Sequence, residues 1–568
     1  MIDSGALTGT VGSYRKDSPR EIIEIPRTVR AVLAARIDRL ARSDKHVLQA
    51  LAAFGQRASV GMLSRVVEVP VQELRKCLRR VQAAGLLIER TEGEHLAYEF
   101  KHSLMQAVAY ESLLHERRRE LHLRIMEAIG DGRNFDVLAR HAVLGEAWDL
   151  ALTYLRAAGK GALANFAEPD AVAYFERALE VLEHLPPKKD HVEAVIDIRC
   201  DLRNALVPLG NQRRILEVLR EAERLGQDLG DDRRLAQVLA FVSNCYGNVG
   251  RSDMALDAAE RSLKLGERIG ESRMLLMAHL SVGEIHRTLG DYRKARSSLL
   301  RALELIGSDE QQLLGQVGLP SVRARSHIAW TLAELGDFPG AHAAAEEGLR
   351  LATTSGHSYS ITHACLGLGG VRLRQGEFQA AIPILSHGLA TSARVPLLRP
   401  PVAADLGVAH ARCGNIQQGL THLHAAVDAA NSMGRLSRLP LILVKCGEIH
   451  LLAGERDQSI ELAESALRLA MQQNERANEA YARHLLAEIH SPGEAAERFY
   501  REALESATEL GMAPLAARCH AGLAMIYMTM SRNDAAEGHR THARQMFKSM
   551  EMRFWLARLD AATTDAAR

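Results

Sequence analysis

Apolar positions along this chain recur at helical spacing, and the runs are broken at regular intervals. From about residue 200 a glycine stands where one helical pattern stops and another starts: Gly210, Gly250, Gly290, Gly336, Gly376, Gly414 and Gly454. The spacings are 40, 40, 46, 40, 38 and 40 residues, and the period continues onto Ser491 and Ser531, where the flanking pattern persists without the glycine. The residue after the break is often Asp, Glu or Asn, as in "LGDYRKA" (289–295), "LGDFPGA" (335–341) and "QGEFQAA" (375–381). This is a helix stop followed by a restart. Glycine ends one helix in the left-handed conformation, and the acidic or amide residue favours the next N-terminus.

Small residues keep the same register. Five positions past each break stand Ala255, Ala295, Ala341, Ala381, Gly419, Ser459, Ala496 and Ala536. Twelve past it stand Ser262, Ala302, Gly348, Gly388, Ala426, Ala466, Ala503 and Ala543. Residues seven apart share one helix face, so the second helix of each unit presents a small-residue face to its partner. The same code continues upstream in "GEAWDLALTYLRAAG" (145–159) and in "NFAEPDAVAYFERALEVL" (165–182), with Ala171 and Ala178. Residues 136–550 are therefore expected to form about eleven helix pairs in a right-handed α-solenoid. "MEMRFWLARLDAA" (550–562) supplies an end cap, with Phe554 and Trp555 on the last pair, and 551–568 forms the cap and tail. The concave surface of a solenoid makes binding of a protein or small-molecule ligand its default use.

The first 130 residues follow another pattern. "IPRTVRAVLAARIDRLARSDKHVLQALAAFG" (25–55) predicts two helices, and "VGMLSRVVEVPVQELRKCLRRVQAAGLL" (60–87) two more around Pro70. "LLIER", "TEGEH" and "LAYEF" (86–100) predict two short strands around a turn. Helices followed by a two-stranded wing describe a winged-helix-like domain over 25–100, with a helical connector over 101–135. The fold class is mainly α, a winged helix followed by tetratricopeptide-like helix pairs.

A winged helix raises the question of DNA. Arg75, Lys76, Arg79 and Arg80 cluster on one side of the helix before the wing, as on a recognition helix. The other reading is a solvated face opposite Leu74, Leu78 and Val81. Electrostatic affinity for DNA needs a larger basic footprint, so DNA is not the expected partner.

Composition supports helix-on-helix packing: 47% of residues are hydrophobic but only 4% aromatic, so small side chains let helices approach. Net charge is +1, with +5 over residues 1–130 and −4 over the remainder. No global field recruits nucleic acid or an anionic membrane. The cysteines (Cys77, Cys200, Cys245, Cys365, Cys413, Cys446 and Cys519) are scattered with no C-x-x-C pair. Neither a disulfide framework nor a zinc site is expected, which suits a reducing cytoplasm. No signal-peptide pattern opens the chain and no apolar run reaches transmembrane length, so a cytoplasmic location without a membrane partner is expected.

Several stretches resemble a known family. "SGALTG", "IPRTVRAVLAARIDRL", "DKHVLQALAAFG", "LRRVQAAGLL", "YEFKHSLMQAVAYESLLHERRRELHLRI" and "RFWLARLDAA" resemble the C-terminal part of bacterial STAND-class (AAA-like) ATPase regulators. These are the multidomain proteins that combine an adenylate cyclase, an ATPase and a tetratricopeptide tail. The phosphate-binding loop of such proteins, G-x-x-x-x-G-K-[ST], occurs nowhere in this sequence, and the cyclase domain with its paired metal-binding carboxylates is absent too. "SGALTGTVGSYRK" (4–16) has neither its spacing nor its Lys-Ser/Thr pair, and residues 1–24 are expected to be a polar hairpin or loop at the exit of an NTPase. The resemblance implies a regulator that begins after its NTPase core, from a truncated gene, a split gene or an internal start. It implies no enzyme activity and no cofactor in this chain, and an ATPase or cyclase partner in trans.

His102 is the sharpest single candidate. The resemblance implies that a His at the end of the winged helix approaches a nucleotide phosphate, here a partner's. The other reading is a His packed and hydrogen-bonded between wing and following helix. Arg117, Arg118 and Arg119, flanked by Glu116 and Glu120, suit intrahelical ion pairs on a solvated face, or contact with an NTPase or anions. His539 and His542 stand i, i+3 with no acidic or Cys partner following. His422 and His424 point to different sides of a helix. No metal site and no catalytic constellation can be assembled from spacing alone.

Overall fold

The computed structural model describes residues 8–10, 13–15, 27–92, 95–130, 132, 134–314, 316–434 and 436–566. The expected loop over 1–24 lies outside them, apart from an antiparallel pair, β1 (Thr8–Thr10) and β2 (Ser13–Arg15). The chain forms two compact units, Met1–Ala158 with Glu180–Leu185, and Gly159–Leu179 with Pro186–Arg568.

In the first unit, α1 (Arg27–Asp38) and α2 (Arg42–Phe54) precede a short strand, β3 (Arg57–Ser59). Ser59 caps α3 (Val60–Val67), its hydroxyl accepting the Met62 N–H at 3.3 Å. Pro70 leads into α4 (Val71–Ala83). The hairpin of β4 (Leu87–Glu92) and β5 (His95–Phe100) follows, and the three strands form one antiparallel sheet in the order β3-β5-β4. Leu48, Leu51, Leu63, Leu74, Leu78 and Phe100 form its core. The helices expected as a connector, α5 (Ser103–Glu111) and α6 (His115–Ile129), bury Val108, Leu121 and Ile125 in that same core. They are part of its packing because their apolar faces have nowhere else to go. α7 (Phe135–Leu144) ends this run, and α8 (Trp148–Ala164) and α9 (Glu168–Leu182) cross the division between the units.

Nine helix pairs fill the rest of the second unit. They are α10 (Lys189–Leu209) with α11 (Gln212–Leu229), α12 (Asp232–Asn248) with α13 (Ser252–Ile269), and α14 (Ser272–Leu289) with α15 (Tyr292–Ile306). Next come α16 (Pro320–Leu335) with α17 (Phe338–Ser355), α18 (Ser358–Gln375) with α19 (Phe378–Thr391), and α20 (Arg399–Arg412) with α21 (Ile416–Ser432). The last are α22 (Leu439–Leu452) with α23 (Arg456–Gln472), α24 (Arg476–His490) with α25 (Glu494–Leu510), and α26 (Ala513–Thr529) with α27 (Asn533–Ser549). α28 (Arg553–Ala566) closes the array.

The break residues behave as stop signals. Gly290 sits at φ +88°, where a side chain would be strained, and the Asp291 carboxylate accepts the Lys294 N–H to start α15. Ser531 adopts the left-handed conformation without glycine, at φ 57°, whereas Ser491 makes its break with extended backbone. A second left-handed series, at Gly230, Gly270, Gly356, Gly434, Asn474 and Gly511, marks the turns between pairs. Six extra residues between Gly290 and Gly336 go into the link from α15 to α16. All sixteen small residues of the register are buried. α20 and α21 cross backbone to backbone, where a Cβ on Gly419 would lie 2.6 Å from the Gly407 carbonyl oxygen.

The array coils back on itself. A Cβ on Gly210 would lie 3.1 Å from Met433 Sδ, on Gly250 2.7 Å from Gln473 Cδ, and on Gly336 2.7 Å from Met550 Sδ. Each of these early breaks thus meets the end of the pair five further along. Backbone hydrogen bonds from Leu436 and Ser437 to the Asn248 carbonyl, 3.1 and 3.0 Å, join the same two coils. Phe554 and Trp555 reach Phe378 and the Gly376 turn, while Trp555 also packs under Arg518 of α26 in the last pair, 4.5 Å from its guanidinium. No helix among the described residues is long and apolar enough to cross a membrane.

Candidate functional site

The concave side of the second unit holds a partly open chamber of ≈ 200 Å³. Its walls come from the first helix of successive pairs, α12 to α26, and from α28. Position decides which residues face it. Six residues before the break lie Asn244, Glu284, Trp330, Gly370, Val408 and Glu448, and two before it lie Asn248, Thr288, Glu334, Arg374 and Arg412. The two positions are four apart, one face of a helix.

The lining is charged and mostly paired. Arg323 Nη2 donates to Glu284 Oε2 at 2.5 Å, Arg374 pairs with Glu334, and Lys445 with Asp405. Glu334 also accepts the Tyr481 hydroxyl at 2.8 Å. Glu448 lies between Arg412, 3.2 Å, and Arg518, 2.9 Å, which hold its carboxyl down at about 2 against the opposing effect of burial. Trp330 carries Arg438 over its ring at 4.2 Å and Arg287 at 5.4 Å. Arg287 Nε donates to His327 Nδ1 at 3.1 Å, which leaves the His327 Nε2–H for Glu284 at 3.3 Å. Burial keeps that imidazole neutral.

Seven cationic side chains line the chamber against five carboxylates. One of the five, Glu475, is fully buried, and desolvation pushes its carboxyl up to about 7. The Asn478 amide donates to it at 2.6 Å. The chamber is therefore positive at neutral pH. Its volume is several times the ~30 Å³ share of one water and slightly above the ~150 Å³ that holds benzene.

The residues singled out in the sequence lie in the first unit. His102 is exposed at the N-terminal end of α5 in extended backbone, so it does not pack between sheet and helix. Arg75, Lys76, Arg79 and Arg80 are all exposed on α4. Arg80 makes a two-pronged bond to the buried Asp44, at 2.8 and 2.6 Å, and Lys76 pairs with Glu73 at 2.7 Å. Arg117–Arg119 are half-buried rather than a solvated face. Arg117 pairs with Glu120, Arg118 donates to the Glu111 carbonyl, and Arg119 pairs with Glu146. α6 needs these partners because it packs into the core on its other side. His422 stacks on His410, His424 meets His450, and His539 and His542 both pack against His520. These partnerships cross between helices, so spacing along one helix did not reveal them. The chamber was equally invisible as a site, although the shared positions six and two before each break carry its signal.

Residues 278–309, most of α14 and all of α15, match the tetratricopeptide repeat family. No curated protein matches the sequence. Among solved structures, a STAND protein with a tetratricopeptide repeat sensor from Pyrococcus horikoshii aligns over 92% of this chain and 68% of its own at 13% identity, TM-score 0.38. A Rap protein complexed with Competence and Sporulation Factor aligns over 72% and 99% at 12% identity, TM-score 0.36. NprR in complex with its cognate peptide NprX aligns over 61% and 96% at 14% identity, TM-score 0.44. The second unit is an all-α array with tetratricopeptide-like repeats.

Proposed function

We propose that this chain is a non-enzymatic sensor whose repeat array takes a small anionic ligand, carboxylate or phosphate, into the chamber of the second unit. The excess of cationic side chains lining that cavity carries the reading. Arg287 and Arg438, which stack on Trp330 at the cavity wall, are the residues offered to the anion. In this reading the first unit is a winged helix with its connector helices, and it relays occupancy to an ATPase or cyclase partner. The relay works by shifting the population between two states. His102, exposed at the start of α5, is the residue offered to that partner's nucleotide phosphate. Contact with DNA through Arg75, Lys76, Arg79 and Arg80 is the competing reading. It is disfavoured because Arg80 and Lys76 already serve Asp44 and Glu73.

Thermal unfolding in inorganic phosphate or succinate, against chloride of matched ionic strength, tests the sensor. Either anion should raise the transition of the second unit, and the rise should vanish in the Arg287→Gln/Arg438→Gln double variant. Equal effects of all three anions, or a rise that survives the double variant, would overturn it. Salt-sensitive DNA binding lost on charge reversal of the α4 cluster would favour the competitor.

A further inference from the structure

We propose that His424, Cys446 and His450 form a binding site for a thiophilic divalent cation of the zinc class, independent of the chamber. Cys446 and His450 stand one turn apart on α22, and His424 comes from the packed α21. One ligand atom from each lies within 4.8 Å of the other two, and the His424 and His450 Nε2 atoms are 2.9 Å apart. Tetrahedral coordination at Zn–N of about 2.0–2.1 Å and Zn–S of about 2.3 Å sets the two nitrogens about 3.3 Å apart. A few tenths of an ångström of ring movement therefore admits the ion.

The His450 tautomer is already set for ligation, while His424 gives up its Nε2 proton when the ion enters. His450 Nδ1 donates its proton to Glu455 Oε2 at 2.5 Å, which leaves the Nε2 lone pair aimed at His424. Glu455 is fixed at the turn after α22, where its backbone N–H donates to the His450 carbonyl at 2.9 Å. A carboxylate behind a ligating imidazole is the outer-shell arrangement of metal histidines. Cys446 and His450 are buried, and His424 is exposed, so the site has an entry path and room for a fourth ligand. One thiolate with two imidazoles selects zinc-like ions over magnesium or calcium.

A second cluster shows what excludes a cation. Glu448, His484 and Glu488 also bring three ligand atoms together. There Arg518 reaches Glu448 at 2.9 Å and Glu488 at 3.7 Å, and Arg412 reaches Glu448 at 3.2 Å. Guanidinium already fills the place of a metal. Among the described residues, no such cation is paired with the His424 cluster.

Titration of the full chain with cobalt(II), followed by absorbance, reads the site directly. One equivalent should produce tetrahedral ligand-field bands with a thiolate-to-cobalt charge-transfer band, displaced by zinc. The charge-transfer band should disappear in Cys446→Ala. Glu455→Gln should weaken binding by about 10–100-fold, and His424→Ala should weaken it further. His424 is exposed, so that variant tests the site without endangering the fold. Absence of a thiolate band, or a band unchanged in both His424→Ala and Cys446→Ala, overturns the proposal and leaves a hydrogen-bonded relay from His424 through His450 to Glu455.

Discussion

The two units bury polarity with different emphasis, although the first also holds the Asp44–Arg80 pair. The first hides a neutral chain: the Tyr110 hydroxyl meets His122 Nε2 at 2.8 Å, and His122 Nδ1 meets His141 Nδ1 at 2.9 Å. Burial lowers the two imidazoles to about 3 and about 4, so neither carries charge near neutrality. The second unit hides full charges, paired around a cavity. A neutral relay within a packed core serves rigidity, whereas paired ions around a space can exchange a partner for a ligand. Polarity of the first kind holds a shape, and polarity of the second kind leaves something to bind.

Removing one carboxylate breaks the contrast most severely. Glu448→Ala leaves Arg412 and Arg518 buried together without their shared anion, and should cost about 3–5 kcal/mol in denaturant unfolding of the second unit. A loss below 1 kcal/mol would mean that water already neutralises the chamber.

One buried group in each unit should respond to pH with the opposite sign from the other. His141 titrates near 6.5 when unfolded and about 4 when folded. Its contribution is present above 6.5 and lost as pH falls to 4, so wild type should lose about 3 kcal/mol relative to His141→Gln over that interval. Glu475 titrates near 4.5 unfolded and about 7 folded. Its folded state holds the proton more tightly, so wild type should lose about 3 kcal/mol relative to Glu475→Gln as pH rises from 4.5 to 7. Difference profiles of urea unfolding across pH isolate each group from the other histidines.

Smaller effects sharpen the comparison. Gly419→Ala places a methyl 2.6 Å from the Gly407 oxygen and 2.7 Å from Ala411 Cβ. Overpacking there should cost about 1–3 kcal/mol, seen as a lower midpoint for the second unit alone. Lys76→Ala removes a pair with both side chains more than half exposed, and the melting temperature of the first unit should not move.

The pairs were legible in the sequence because repetition amplifies a weak signal: one buried alanine says little, but sixteen small residues in register define a face. The helices and hairpin of the first unit followed from ordinary amphipathic patterns. β3 escaped because three residues, Arg57–Ser59, are too short to show alternation. The coil-to-coil contacts escaped for another reason. Gly250 and Gln473 share no local pattern, and only the pitch of the array brings them together. The chamber depends on that pitch, so its charges looked like unrelated residues on separate helices. His424 and Cys446 were hidden similarly, since a ligand set divided between two helices has no single spacing.

The contact of the early breaks with the pair five further along has a consequence for how this array can change length. In an open stack, one forty-residue module can be gained or lost with only its neighbours noticing. Here a deletion after Gly250 would move every later module one place around the coil, and Gly210 would face a residue other than Met433. The module count is thereby locked by pitch, much as thread and nut must agree.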